Sequence, residues 1–349
     1  MTRAVACAAA AATAAALALG LSSALGACAH GPAAPWAQPT AIVESAACLT
    51  PQLEAEFAGR ARAGVVDELT KSGLAAAAEA LSPSLEEVVP AARREALGRA
   101  SAEGRCRRIT YRVDGLRVVG FVFEPSAARP RALPLIVYAR GGNRGFGKNE
   151  YVSMSLLQTL ADAGFVVATT QYRGVDGGEG ADQFGGDDVH DLEALMAVAR
   201  ALPAWDGTRA YLYGHSRGGM EAYEALRDGL PVRAAAISGG VADLAQAIQV
   251  RPVMESVAAE TIPRWATERQ QAIEHRSALR WADRITVPLM IVHAREDWRV
   301  PLAQAQAMDA TLTRLGREHK LLVVEGDAHQ IYLHRQALVD ALVEWFRAH

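Results

Sequence analysis

Ala210-Tyr211-Leu212-Tyr213-Gly214-His215-Ser216-Arg217-Gly218-Gly219-Met220 runs an apolar strand-like tetrad into a Gly-x-Ser-x-Gly pattern. Met220, Tyr223 and Leu226 follow at helical spacing, so the serine sits where a strand turns into a helix. A serine at such a turn needs a strained backbone and small neighbours, so that its hydroxyl projects above the sheet while the helix packs closely.

Outward from this turn the chain alternates short apolar runs with amphipathic stretches. Strands are expected at 135–139, 166–170, 210–213, 234–237, 289–293 and 321–324, and helices at 151–163, 187–202, 217–228, 302–315 and 335–348. Upstream, Ile109-Thr110-Tyr111-Arg112-Val113, the turn Asp114-Gly115 and the alternation from Leu116 read as a β-hairpin. Buried strands joined by crossover helices specify an α/β fold, a doubly wound and mostly parallel sheet of about eight strands. Its domain is expected to run from 106 to 349, after a helical N-terminal region at 50–105. The segment 241–284 has no strand pattern, contains Pro252 and Pro263, and reads as a candidate helical lid near the strand ends.

A serine hydroxyl needs a base within hydrogen-bond reach, and the base needs an orienting acid. His329, in Gly326-Asp327-Ala328-His329 just past the last strand, is the candidate base. His334 falls at the start of the last helix, His293 ends a strand, and His215 is expected to point away from the serine. Asp297, in a short loop ending in Val300-Pro301, is the candidate acid, with Glu296 and Asp283 as alternatives; Asp327 is too near His329 along the chain. The oxyanion donors are expected to be the backbone N–H of Arg217, at a helix N-terminus, and an N–H from the loop Arg140-Gly141-Gly142-Asn143, with Gly142 ahead of Asn143.

Composition narrows the function further. With 349 residues and 36 Lys+Arg against 39 Asp+Glu, there is no charge excess to follow a phosphate backbone, which argues against a nucleic-acid partner. Arg3 followed by an Ala/Leu run without charge reads as an export signal over 1–28, followed by a tether at 29–49. Leu25-Gly26-Ala27-Cys28 resembles a bacterial lipobox, which would place a lipid on Cys28 and tie the protein to a membrane in the periplasm or outer envelope. Ala27-Cys28-Ala29 also fits ordinary signal cleavage. In an exported chain Cys48 and Cys106 are a candidate disulfide, with two separately buried thiols as the other reading. No histidine pair has ligand spacing, so neither metal nor cofactor is expected.

Taken in order, the Gly141-Gly142 loop, Gln171-Tyr172-Arg173-Gly174, Asp187-Asp188, the Ser216 turn, Asp297 with Val300-Pro301, and Gly326-Asp327-Ala328-His329 resemble the catalytic domain of the prolyl oligopeptidase family, within the α/β-hydrolase fold. The resemblance covers about 107–348 and implies a Ser216, Asp297, His329 triad that attacks an ester or amide carbonyl through an acyl-enzyme. Two departures from the family pattern stand out. The stretch before Cys106 is helical and too short for the family's β-propeller, and Arg140 replaces a usual histidine, with a structural ion pair expected for it. The expectation is an exported serine hydrolase acting on a small ester or short peptide; the alternative is a non-catalytic envelope lipoprotein on a hydrolase scaffold.

Overall fold

Cys106–Val113 (β2) and Leu116–Phe123 (β3) close on Asp114-Gly115, where both residues take positive φ, 51° and 80°. A two-residue primed turn requires that conformation, and the ladder runs unbroken from Val113 opposite Leu116 to Cys106 opposite Phe123. The structure, a computed structural model, describes residues 34–38, 40–127 and 132–349. The expected signal at 1–28 and Cys28 lie outside the described residues.

The hairpin is flanked by a strand that the sequence reading took for tether. Ile42–Ala47 (β1) pairs antiparallel with β2, so the segment 29–49 contains a ninth strand. Five of its six residues are exposed, which leaves no hydrophobic alternation to read. Ladder hydrogen bonds hold it, together with an ion pair between Glu44 and Arg117. Immediately after it, Cys48 is joined to Cys106 by a disulfide with a Cα–Cα distance of 5.3 Å, both residues being buried. Closing a sequence separation of 58 residues contributes about 4 kcal/mol by restricting the unfolded chain.

The remaining strands are Leu133–Ala139 (β4), Val166–Thr170 (β5), Trp205–His215 (β6), Ala234–Ser238 (β7), Leu289–Ala294 (β8) and His319–Val324 (β9). The sheet order is β1-β2-β3-β5-β4-β6-β7-β8-β9, parallel from β5 onward and antiparallel before it. Alternate residues of one strand enter opposite cores. Val137, Leu212 and Ile291 pack under Val189–Glu193 (α5), Leu195–Ala199 (α6), Arg217–Arg227 (α7) and Leu302–Arg314 (α11). Ile136, Tyr211 and Val292 pack under Tyr151–Asp162 (α4) and Arg335–Ala348 (α12). That second face also carries the N-terminal helices Pro51–Lys71 (α1), Ala75–Glu79 (α2) and Ala91–Ala102 (α3), which supply Val65, Leu69, Ala78 and Leu97. The helix expected at 187–202 is divided into α5 and α6 at Ala194, whose carbonyl accepts from both Ala197 and Val198.

From β4 the chain crosses to β5 on one side and later places β6 on the other. The carboxyl ends of β4 and β6 therefore face a crevice at the point where the strand order reverses. The segment 241–284 covers this end as Leu244–Val250 (α8), Val253–Thr261 (α9) and Trp265–His275 (α10), with Pro252 and Pro263 falling between successive helices. These helices share an apolar cluster with Phe184, Met220 and Val300 of the sheet domain, so the cap is packed onto the crevice.

Candidate active site

Ser216 stands between β6 and α7 with φ 57° and ψ −123°, a strained conformation for a residue bearing a side chain. The glycines around it are dictated by space. A Cβ on Gly218 would lie 2.1 Å from the Ala139 carbonyl oxygen, and one on Gly214 would lie 2.5 Å from that of Gly218. Close packing of α7 on the end of β4 thus requires both.

His329 is carried by the loop after β9, and Asp327 builds that loop. The buried Asp327 carboxylate accepts from the N–H groups of Ala328, Tyr332, Leu333 and His334 at 2.8–2.9 Å. The resulting turn aims the His329 ring at the serine: the Ser216 Oγ–H donates to Nε2 at 2.8 Å, and Nδ1–H donates to Asp297 Oδ2 at 2.6 Å. Asp297 Oδ1 accepts from the N–H groups of Arg299 and Val300 at 2.8 and 2.9 Å. Burial alone would raise the Asp297 carboxyl, but the charge on His329, then hydrogen bonds from His293 and His329, hold it well below the usual carboxylate range.

His293 is a residue whose part the sequence reading missed. At the end of β8 it is buried, and its Nε2 donates to the Val300 carbonyl at 2.8 Å while lying 3.3 Å from Asp297 Oδ2. Its four-residue spacing from Asp297 was the available signal. His334 caps α12 and faces Asp327, as its position suggested. Glu296 accepts from the Gly326 N–H, and Asp283 lies in a short 3-10 turn, so neither takes the place of Asp297. The expectation for His215 is overturned. Its ring centroid lies 4.8 Å from that of His329 and it lines the serine's cavity, held by Nδ1 on Ser238 Oγ at 3.0 Å. Burial, then the neighbouring His329, push it well below the ordinary histidine range, so it stays neutral.

On the oxyanion side, Gly141 approaches so closely that a Cβ there would meet the Ser216 Cβ at 2.9 Å. The Asn143 N–H is used within its own turn, donating to the Phe146 carbonyl at 3.1 Å, whereas the Gly142 N–H has no acceptor among the described residues. Arg217 opens α7, so its N–H has no intrahelical partner. Both free N–H groups belong to the rim of the serine's cavity.

The two arginines of this region are part of the scaffold, by different means. Arg140 forms no ion pair among the described residues, contrary to the expectation; it is buried and donates to the carbonyls of Gln171, Gly141, Phe146 and Arg144. Its planar fork therefore sets the loop that carries Gly142. Burial, then the proximity of Arg217, lower it to about 10. Arg217 lies between the rings of Tyr172 and Phe184 and pairs with Asp182 at 2.6 Å, Glu221 at 2.7 Å and Asp188. One guanidinium does not balance three buried carboxylates, and burial with these like charges raises Glu221 to about 8.

The cavity over Ser216 measures about 130 Å³ and has apolar walls from Phe146, Phe184, Val241, Leu244, Met254 and Val300. Tyr138, His215 and Arg299 are shared with an adjoining chamber of about 420 Å³ that extends to Val65 and Glu68 of α1. This geometry provides a nucleophile, a base with its orienting acid, and N–H donors around one small apolar pocket.

A model of the prolyl oligopeptidase family matches residues 151–349. A Bacillus subtilis (strain 168) protein described as an uncharacterized peptidase, YtmA, is 26% identical over 250 residues, covering 70% of this chain and 93% of that protein. Among solved structures, the Pyrococcus horikoshii acylaminoacyl peptidase superposes with TM-score 0.60 at 22% identity, covering 69% of this chain and 41% of that one. A Mycobacterium tuberculosis puromycin-hydrolyzing peptidase gives TM-score 0.58 at 24% identity, covering 69% and 39%. The chain thus spans about two fifths of the length of these solved relatives, and the likeness to them is one of fold. With more than half of its length matched by the family model, the chain belongs to the prolyl oligopeptidase family and is a serine hydrolase.

Proposed function

We propose that Ser216, His329 and Asp297 are the catalytic triad of an exported hydrolase that cleaves a small ester or a short-peptide amide. The observation that carries this reading is the continuous relay from Ser216 Oγ through His329, 2.8 Å and 2.6 Å long, built on a strained serine. Ser216 Oγ attacks the carbonyl carbon as its proton passes to His329 Nε2. The tetrahedral oxyanion is held by the N–H groups of Arg217 and Gly142. His329 then gives the proton to the leaving oxygen or nitrogen, whose bond to the carbonyl carbon breaks to leave an acyl-Ser216. Water, deprotonated by His329, hydrolyses the acyl group and restores the serine. A pocket of about 130 Å³ favours small acyl groups.

Export, with a lipid on Cys28 anchoring the protein to a membrane of the cell envelope, is part of the same reading. It is supported by the Leu25-Gly26-Ala27-Cys28 sequence and by the disulfide between Cys48 and Cys106, which suits an oxidising compartment. A fluorophosphonate should label the wild-type protein at one residue, and labelling should vanish in Ser216→Ala and fall at least about a thousandfold in His329→Ala. A wild-type protein that takes no label would refute the triad reading.

A further inference from the structure

Three cations surround the indole of Trp298: Lys71 at 5.3 Å, Arg251 at 5.0 Å and Arg299 at 4.6 Å from the ring centroid. They come from three parts of the chain, namely α1, the end of α8 in the cap, and the loop after Asp297. Two of them are neutralised. Lys71 pairs with Asp67 at 2.7 Å, and Arg299 grips Glu68 through Nε at 2.7 Å and a terminal nitrogen at 2.6 Å. Among the described residues Arg251 makes no ion pair and its side chain donates no hydrogen bond; what it does meet there is the face of Trp298.

Arg251 also lines the cavity that contains Ser216, and no aspartate or glutamate among the described residues lines it. Of the three arginines on its wall, Arg217 pairs with three carboxylates and Arg299 with Glu68, which leaves Arg251 as the one without an ion-pair partner among the described residues. Burial, then repulsion from Arg299, hold its guanidinium below the ordinary value. The more distant Glu68 and Asp297 offset only part of this; half-burying a cation next to another with no carboxylate in direct contact costs free energy, and an anion arriving in the cavity would recover it.

Resting on the hydrolase reading above, we propose that Arg251 is a specificity residue that recognises a carboxylate on the substrate, so that the preferred substrates are anionic small esters or short peptides. The carboxylate is planar and matches the guanidinium fork, while the apolar walls formed by Leu244, Met254 and Val300 receive the carbon chain that carries it. The charge has two chemical sources: an acidic side on the acyl group, or the free C-terminus of a short peptide on the leaving side.

Two matched pairs separate these sources. The acyl pair is 4-nitrophenyl glutarate with its distal carboxylate free or methylated; the leaving-side pair is N-acetyl-dialanine with a free C-terminal carboxylate or an amide. The quantity read is the ratio of kcat/KM for the charged to the neutral member, which is independent of the active fraction of a variant. In the wild type one pair should show a ratio of about ten or more, carried by KM and shrinking as salt is raised. The ratio should fall to about one in Arg251→Gln and be partly kept in Arg251→Lys. If the wild type takes the fluorophosphonate label but, unlabelled, prefers the charged member of neither pair, the proposal is overturned, as it is by a preference that survives unchanged in Arg251→Gln. Failure of the wild type to take the label would instead remove the hydrolase reading beneath it.

Discussion

Replacing Arg217 by methionine keeps the bulk of the side chain and removes its charge, and the consequence follows from what the guanidinium touches. It is fully buried between Tyr172 and Phe184, and it is the shared partner of Asp182, Asp188 and Glu221. Glu221, already raised to about 8, is mostly protonated near neutrality and would lose little. Asp182 and Asp188 keep backbone donors, from Phe184 at 2.8 Å and from Gly185 and Gly186 at 3.1 and 2.7 Å, but face each other with no cation between them. Breaking a buried pair by removing one partner costs about 3–5 kcal/mol. For a chain of this size that lowers Tm by about 6–10 °C. Arg217→Lys should recover less than half of this, since an ammonium does not span three carboxylates while lying flat between two rings. Urea denaturation gives the stability, and the rate of fluorophosphonate labelling gives the state of the oxyanion donor on the same residue. Labelling should slow in Arg217→Met even at temperatures where the variant is folded, because Asp182 and Asp188 also fix the loop facing the serine turn. A loss below about 1 kcal/mol with an unchanged labelling rate would refute the view that the guanidinium organises this corner.

His293 is expected to position Asp297. Its removal in His293→Ala takes away the ring that ties the Val300 carbonyl to β8 and stands 3.3 Å from the acid's Oδ2, and kcat should fall about tenfold with KM little changed, while His293→Gln regains part of the rate; equal kcat in all three proteins would place His293 in the core alone. The dependence of stability on pH has a definite sign above neutrality. Burial raises Glu193 and Glu221 to about 8 from ordinary values of 4.5, so between pH 6.5 and 8 the folded protein holds protons that the unfolded chain has released. Stability should therefore fall as pH rises through that window, by up to about 1.4 kcal/mol per pH unit for each group. Below pH 6.5 the effect is opposed by the buried His215 and by His275, lowered to about 4, both of which must gain a proton on unfolding. Urea midpoints at pH 6.5, 7.2 and 8.0 measure the slope, and a rising midpoint would contradict it.

Most of the parallel half of the sheet was legible because β5, β7 and β8 are buried throughout and β4 and β6 over their second halves, which read as apolar runs, and the serine turn was legible because its glycines are fixed by close backbone approach. Ser216, Asp297 and His329, the proposed triad, were legible for a related reason: each follows the carboxyl end of a strand that reads from the sequence. Strand β1 was not, since an exposed edge strand carries no pattern on either face. Nor were the roles of Arg140, Arg217 and His293. The two arginines act through contacts across long sequence separations, Arg140 on the Gln171 carbonyl and Arg217 on Asp182, and His293 acts through a loop whose turn no periodicity reports.

The same distinction explains why the substrate is harder to read than the reaction. The reacting groups come from the family's ordered motifs after residue 140, but the walls around them do not. Leu244 and Arg251 come from the cap, and Glu68, which grips Arg299 at the rim, comes from α1 in the helical N-terminal region. That region is secured to the sheet by the disulfide at Cys106 and by Val65 and Leu69 in the core under α4. Helix α1 therefore lines the candidate site as well as belonging to the fold. Because Glu68 pairs with Arg299, and Arg251 has no ion-pair partner among the described residues, a single residue of α1 would determine, on the anion proposal, which of two neighbouring arginines meets a ligand. Its replacement by glutamine would free Arg299 as a second anion partner.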